Sequence, residues 1–264
     1  VIIWHEFTDN LYDDNGSING NRVYYSYDEF GFDGGSFAYP LDFDLLWNSD
    51  TRDHTNCSVS VSFDEEFDMS VINAVFNDVT LGGRWLFHSS DYSDGYIVME
   101  EVQLVIDEMN DLEVPDNFFS SKNSAAYMSC IPEGICGVGI IGLFSGADTE
   151  SSPISNNHTG IFKMSENHGA TWHGCDGSVD SGCAPSTDST NYYFIPDAVW
   201  DNLVNTNFNY EIFDDCNGTS SFINDFGLYY NLDFKVDRNG NPHWVIQVVP
   251  CDDDECYYTE ETAG

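Results

Sequence analysis

Apolar and polar residues alternate along residues 232–249, and Asn239-Gly240 interrupts the alternation near its middle. A period of two places the apolar side chains of a strand on one face, and Asn-Gly between two such runs strongly indicates a β-hairpin. Residues 57–63 (CSVSVSF) alternate in the same way, which is typical of a half-buried antiparallel strand. Residues 137–146 (GVGIIGLFSG) are apolar on both faces and rich in glycine, as expected of an innermost strand that other backbones approach closely.

Helix signals are few. Residues 195–203 (IPDAVWDNL) and 102–112 (VQLVIDEMNDL) each fit either a short helix or an outer strand followed by a loop. We expect no more than about 10% helix, against roughly one third in an average globular protein. With 264 residues, 41% of them hydrophobic, the chain is long enough for one large all-β domain or two smaller ones. The sequence therefore predicts an all-β fold.

The charge balance excludes two classes of partner. The chain has 46 Asp and Glu residues against 7 Lys and Arg, which gives a formal net charge of -39. Because phosphate binding needs clustered cations, we expect no nucleic-acid partner and no binding to anionic membrane surfaces. No stretch approaches the length needed to span a bilayer, so we expect no membrane insertion. The acids are scattered from end to end, which favours adaptation to salt or solubility over dedicated Ca²⁺ loops.

Calcium is nevertheless the one cofactor that the sequence suggests. Hard oxygen ligands surround a glycine turn at Asp9, Asp13, Asp14 and Asn15, and again at Asp237, Asn239 and Asn241. Neither segment has the closing bidentate Glu of a complete EF-hand-like loop. The first segment fits a Ca²⁺ site and a solvated turn about equally well, whereas the second fits a hairpin turn better.

Eight cysteines in mostly polar segments indicate disulfides and an oxidising compartment. Three pairs are close in sequence, so we expect the disulfides Cys130–Cys136, Cys175–Cys183 and Cys251–Cys256. Cys57 and Cys216 would then pair at long range or stay free. A zinc site is the competing interpretation, but the chain has no Cys-x-x-Cys motif. The cysteines therefore predict a secreted or cell-surface protein.

Three segments share one layout, in which a strand ending in Ser is followed by an Asp, Asn and Gly turn and then by an aromatic residue. They are residues 21–37, 84–96 and 160–172, marked by Ser26, Ser90 and Ser165. Residues 228–244 look like the inner strands of a fourth unit. Repetition at this period predicts about four similar units, with approximate bounds 1–56, 57–129, 130–215 and 216–264.

Residues 165–172 (SENHGATW) resemble the Asp-box, Ser-x-Asp-x-Gly-x-x-Trp, of the BNR-type β-propellers found among secreted bacterial cell-surface proteins. Ser165, Gly169 and Trp172 match the motif, while Asn167 stands where Asp is usual. The resemblance implies a β-propeller or partial propeller of about four antiparallel blades with long disulfide-closed loops. It also implies that the motif lies at the turn between two outer strands, away from the central pore where ligands bind.

The residues of this segment have structural roles that agree with the resemblance. The Asn167 side chain can hydrogen-bond the following turn, Gly169 supplies a positive φ, and Trp172 can cover the apolar face of the hairpin. Glu166 and His168 are expected to point outward into solvent. We therefore interpret this segment as a folding element rather than a catalytic loop.

The resemblance implies a binding or adhesion module with a protein or glycan ligand, either alone or as a passenger or subunit of a surface assembly. The alternative is a carbohydrate-active enzyme such as a sialidase-like glycoside hydrolase, which needs three arginines, a tyrosine nucleophile and an acid. Arg22, Arg52 and Arg84 are available, but none stands in the Arg-Ile-Pro context typical of sialidases. The seven histidines are dispersed, and no Gly-x-Ser-x-Gly elbow occurs. The sequence therefore favours binding over catalysis.

Overall fold

The computed structural model describes residues 2–11, 18–27, 41–42, 54–78, 82–93, 96–100, 102–107, 124–143, 158–174, 192–195, 197–207, 211–214, 218–222 and 225–251. These residues form antiparallel β-sheets and a single helix, Asp197–Asn207 (α1). The all-β prediction is therefore confirmed for the part of the chain that the structure describes. Within that part, no helix is both long enough and apolar enough to cross a membrane.

The strands form sheets that follow the order of the chain. The first sheet contains β1 (Ile2–Leu11), β2 (Ile18–Ser26) and β3 (Leu41–Asp42). The second sheet contains β4 (His54–Asp64), β5 (Met69–Asp78), β6 (Arg84–Ser93), β7 (Tyr96–Met99) and β8 (Gln103–Ile106), which also pairs with β6. The third sheet contains β9 (Tyr127–Cys130), β10 (Cys136–Leu143), β11 (His158–Ser165) and β12 (Tyr193–Phe194).

Two hairpins complete the described part of the chain. One pairs β13 (Glu211–Asp214) with β14 (Thr219–Phe222). The other, called here the C-terminal hairpin, pairs β15 (Asp225–Val236) with β16 (Pro242–Cys251). It confirms the strand and turn prediction for residues 232–249, since Phe234 lies opposite Trp244 and Gly240 has a φ of 83° in the turn.

Three apolar clusters lie between consecutive sheets. The first joins Val23 and Tyr25 of the first sheet to Phe76 and Phe87 of the second. The second joins the second sheet to the third through side chains that include Leu86, Ile106, Val138, Ile140 and Ile161. The third joins the third sheet to the C-terminal hairpin through side chains that include Ile141, Phe162, Phe234 and Trp244. Alternate residues of a strand face opposite sides, so the second and third sheets each contribute side chains to two of these clusters. The three sheets and the C-terminal hairpin therefore pack face to face in chain order.

Strand β10 is buried on both faces, as its continuous apolar sequence predicts. Val138, Ile140 and Ile141 are inaccessible to solvent, and β10 lies between β9 and β11. A Cβ at Gly137 would come within 2.7 Å of the Phe234 ring. What approaches the glycine is therefore an aromatic side chain of the C-terminal hairpin, not another backbone.

Strand β4 alternates as the sequence predicts, but its buried face is the polar one. Ser62 is 2% exposed, whereas Val59, Val61 and Phe63 are 45%, 47% and 40% exposed. The period of two fixes which residues share a face, and the contacts of the neighbouring sheet determine which face is buried. In β4 the third sheet contacts the serine face through hydrogen bonds.

The structure resolves the two ambiguous segments differently. Residues 195–203 contribute to helix α1, which begins at Asp197, whereas residues 103–106 of the second segment form strand β8. The repeat layout fails at Ser90, which is exposed and lies inside β6, because this strand continues to Ser93. The unit bounds 1–56, 57–129, 130–215 and 216–264 stay a prediction.

Candidate functional site

The turn after β11 is held by its own side chains. The Ser165 hydroxyl oxygen accepts the backbone N–H of Gly169 at 3.0 Å. Asn167 Oδ1 accepts the backbone N–H of Thr171 at 2.9 Å, and Gly169 has a φ of 93°. Trp172 packs against the apolar cluster between the second and third sheets. Asn167 thus makes the backbone contact expected of a short polar side chain in a tight turn.

His168 lies at the interface between two sheets and does not point into solvent. Its Nδ1 is 2.9 Å from the Ser62 hydroxyl of β4, and its carbonyl accepts a hydrogen bond from Asn73 Nδ2 of β5 at 2.8 Å. Its ring packs on Gly134, where a Cβ would come within 2.5 Å of His168 Nε2. The expectation of an outward His168 is therefore wrong, because the second sheet supplies partners for it. Glu166 is exposed, as expected.

Asn73 connects this turn to a second histidine. Its Oδ1 is 2.9 Å from His88 Nδ1, and its amide nitrogen donates to the His168 carbonyl. Burial lowers the pKa of His88, with a smaller opposing effect from Glu100 and a further lowering effect from His168. We call Ser62, Asn73, His88 and His168 the interface cluster.

The interface cluster has the elements of a nucleophile and its base but lacks access to substrate. A serine hydroxyl 2.9 Å from a histidine nitrogen is the arrangement that activates a nucleophile. Ser62 is buried, however, because its side chain faces the turn after β11 in the third sheet. The side chains of the interface cluster form hydrogen bonds between the two sheets. These bonds satisfy polar groups that packing removes from water.

Serine hydroxyls also connect the first strands of successive sheets. Ser58 accepts the backbone N–H of Met128 at 3.1 Å, and Ser60 accepts that of Cys130 at 2.7 Å. On the next sheet, Ser129 of β9 accepts the N–H of Val236 in β15 at 3.1 Å. We call these three contacts the serine links. They satisfy backbone donors of β9 and β15 and thereby connect β4, β9 and β15 in chain order.

In the second calcium candidate, the Asp237 carboxylate accepts hydrogen bonds from its own turn. Asp237 accepts the backbone N–H groups of Asn239 and Asn241 at 2.8 and 2.9 Å, and its Oδ2 is 3.0 Å from His243 Nε2. The His243 contact, followed by those from Asn241, lowers the pKa of Asp237. The segment is therefore a self-contained hairpin turn, as the sequence favours.

The first calcium candidate stays a prediction. The backbone of Asp9 belongs to β1, while its side chain and all of Asp13, Asp14 and Asn15 lie outside the described residues. Among the side chains that the structure describes, no group of three His, Cys, Asp or Glu residues could hold a metal ion.

One of the three expected disulfides is described. Cys130 and Cys136 are bonded and face each other across β9 and β10. Cys175, Cys183 and Cys256 lie outside the described residues, as does the side chain of Cys251, so those two pairs stay predictions. Cys57 has a free thiol, and burial raises its pKa to about 12.

Arg84 is the one sialidase candidate whose side chain the structure describes. Its guanidinium is buried and donates from Nη2 to the Ser124 carbonyl at 3.0 Å. Arg52 and the side chain of Arg22 lie outside the described residues. Arg84 therefore connects β6 to the segment before β9, a role that its sequence context did not indicate.

A scan against protein-family models and searches of curated proteins and of solved structures found no match to this chain. The function is therefore inferred from contacts within the chain.

Proposed function

We propose that the protein is a binding or adhesion module built on a β-propeller or partial propeller of about four blades. In such folds, four-stranded antiparallel sheets repeat radially, each packing on the next. The four strands of the third sheet are adjacent in chain order, as are β4 to β7 of the second sheet, where β8 also pairs with β6. Apolar clusters join the first sheet to the second, the second to the third, and the third to the C-terminal hairpin. Both features support this proposal.

The observation that carries the proposal is the set of serine links. A propeller requires the first strand of each blade to lie beside the first strand of the next, around a common axis. The hydroxyls of Ser58 and Ser60 connect β4 to β9, and that of Ser129 connects β9 to β15. A stack that joined its sheets only through their faces would not require these contacts between first strands.

Binding is favoured over catalysis by how the described polar groups are used. Ser62 and His168, the pair nearest in geometry to a catalytic dyad, hold two sheets together. A rigid set of sheets that presents connecting loops is suited to recognition of a protein or glycan. The proposal includes Ca²⁺ at Asp9, Asp13, Asp14 and Asn15, and membership of a larger surface assembly.

The bonded Cys130–Cys136 pair supports a secreted or cell-surface location, because disulfides persist in oxidising compartments. Mass spectrometry of an unreduced digest should also link Cys175 to Cys183 and Cys251 to Cys256. Free thiols at all six positions in natively sourced protein would contradict the location.

Binding is tested by applying the labelled protein to glycan and protein arrays, with a heat-denatured sample as the control. We expect saturable binding to a restricted set of ligands. The same preparation should leave fluorogenic sialosides and other common glycosides uncleaved. Turnover of a glycoside without saturable binding to any array ligand would replace the proposal by the hydrolase alternative.

A further inference from the structure

The β4–β5 hairpin carries apolar side chains that are partly exposed in the described part of the fold. Val59, Val61 and Phe63 lie on one face of β4 and are 40–47% exposed, and Phe67 in the following turn is 70% exposed. We call these four residues the β4 stripe. Because the opposite face of β4 carries the serine links and the Ser62 contact, the strand cannot turn its apolar face inward without losing them. Contiguous exposed apolar residues of this kind mark interaction sites.

The turn that carries Phe67 is ordered by its own hydrogen bonds. Asp64 Oδ1 accepts the backbone N–H groups of Glu66 and Phe67 at 2.9 and 3.2 Å. Asp64 and Met69 close the turn as opposite residues of β4 and β5. The aromatic side chain is therefore presented to solvent by a defined backbone, which lowers the entropic cost of binding a partner.

The charge around the β4 stripe identifies the kind of partner. Four acids, Asp64, Glu65, Glu66 and Asp68, occupy the end of β4 and the turn, and no Lys or Arg occurs between Arg52 and Arg84. A complementary surface must combine apolar side chains with Lys or Arg. A second copy of this chain has the wrong charge, because its own net charge is -39.

We propose that the β4 stripe is the docking surface for a basic, apolar segment of a partner protein. The segment binds in an extended conformation, because residues two apart in a strand are about 7 Å apart on one face and match the alternate side chains of another extended chain. This inference rests on the proposed binding function and specifies a protein ligand for it.

Two synthetic octapeptides serve as probes, one alternating lysine with leucine and one alternating lysine with serine. Their affinities are measured by fluorescence anisotropy at physiological salt for the full chain, for Val61→Thr/Phe67→Ser, and for Phe222→Ser/Val245→Thr. The last variant is the matched control, because Phe222 and Val245 are 65% and 73% exposed on other hairpins. We expect at least about tenfold weaker binding of the lysine–leucine peptide to the stripe variant and no change in the control.

Hydrogen exchange of the unaltered chain gives a second measurement that does not depend on folding of a variant. The lysine–leucine peptide should slow exchange of amides in residues 59–70 more than the lysine–serine peptide does. The inference would be overturned if the two peptides bound with equal affinity, or if both variants lost the same affinity. It would also be overturned if the unaltered chain formed a dimer that dissociates in the stripe variant. Array binding that survives in the stripe variant would leave the proposed function standing, whereas absence of array binding by the unaltered chain would remove that function itself.

Discussion

Trp172 is the residue by which the turn after β11 contacts the apolar core. Its ring is half-buried against the cluster between the second and third sheets. Trp172→Ala should lower the free energy of unfolding by about 3 kcal/mol, the lower end of the range for truncating a large aromatic residue. Urea denaturation followed by fluorescence or circular dichroism measures the change.

Trp172→Phe is the matched control for this change. The indole Nε1 is buried and has no hydrogen-bond partner among the described residues. Replacing the indole by a phenyl ring keeps most of the apolar contact and removes that unpaired donor, so the loss should be clearly smaller than for alanine. A Trp172→Ala variant with unchanged stability and reduced ligand binding would show that the residue belongs to a binding site instead.

The conformation of the turn after β11 is predictable from its own sequence, whereas the position of His168 is not. The positive φ of Gly169 and the backbone contact of Asn167 depend on neighbours within four residues, so the sequence of the turn was sufficient to predict them. The position of His168 depends on Ser62, which is 106 residues away in the chain. No periodicity in the sequence relates these two residues, and the outward orientation expected for His168 was wrong for that reason.

Strand and hairpin formation is predictable from this sequence, whereas the choice of which strand face is buried is not. Strand β15 and strand β4 show the same alternation, but β15 buries Leu232 and Phe234 whereas β4 buries Ser62. The difference arises because backbone donors of β9 hydrogen-bond the serines of β4. Serine at alternate positions of β4 was the sequence signal for these hydrogen bonds, but the same pattern is equally typical of a solvent-exposed face.

Strands β5 and β6 make the interface cluster sensitive to pH through His88. Burial holds the pKa of His88 below its usual value near 6.5. Between the folded pKa and about 6.5, the unfolded chain binds a proton that the folded chain does not bind. The stability that depends on neutral His88 is therefore fully present above about pH 6.5 and is lost as the pH falls towards the folded pKa.

A His88→Gln variant isolates this contribution from that of the many carboxylates. The free energy of unfolding is measured in urea for both proteins at pH 7.5, 6.5 and 5.5. Stability of the unaltered protein should decrease more steeply, by up to about 1.4 kcal/mol per pH unit for the single proton. Parallel pH profiles would show that His88 has the same affinity for protons in both states.

The whole molecule must fold against its own charge. With a net charge of -39, self-repulsion should destabilise the folded state at low ionic strength, where the Debye length is about 30 Å at 0.01 M against about 10 Å at 0.1 M. The melting temperature should therefore rise as NaCl is added. A constant melting temperature from low to high salt would contradict this explanation.

Calcium at matched ionic strength provides the control. If the acids serve only as solvated surface charge, CaCl₂ and NaCl of equal ionic strength should have similar effects. An additional increase with CaCl₂, absent in an Asp13→Asn/Asp14→Asn variant, would support a dedicated site in residues 9–15.

The order of the sheets can be measured in solution through the serine links. In a nuclear Overhauser experiment on protein with selectively labelled Met, Val and Ser, the amide proton of Met128 should show a cross-peak to the β-protons of Ser58. The amide proton of Val236 should likewise show one to Ser129. Both cross-peaks together would place β4, β9 and β15 side by side in chain order. Cross-peaks from these two amides to other strands, with none to Ser58 or Ser129, would contradict it.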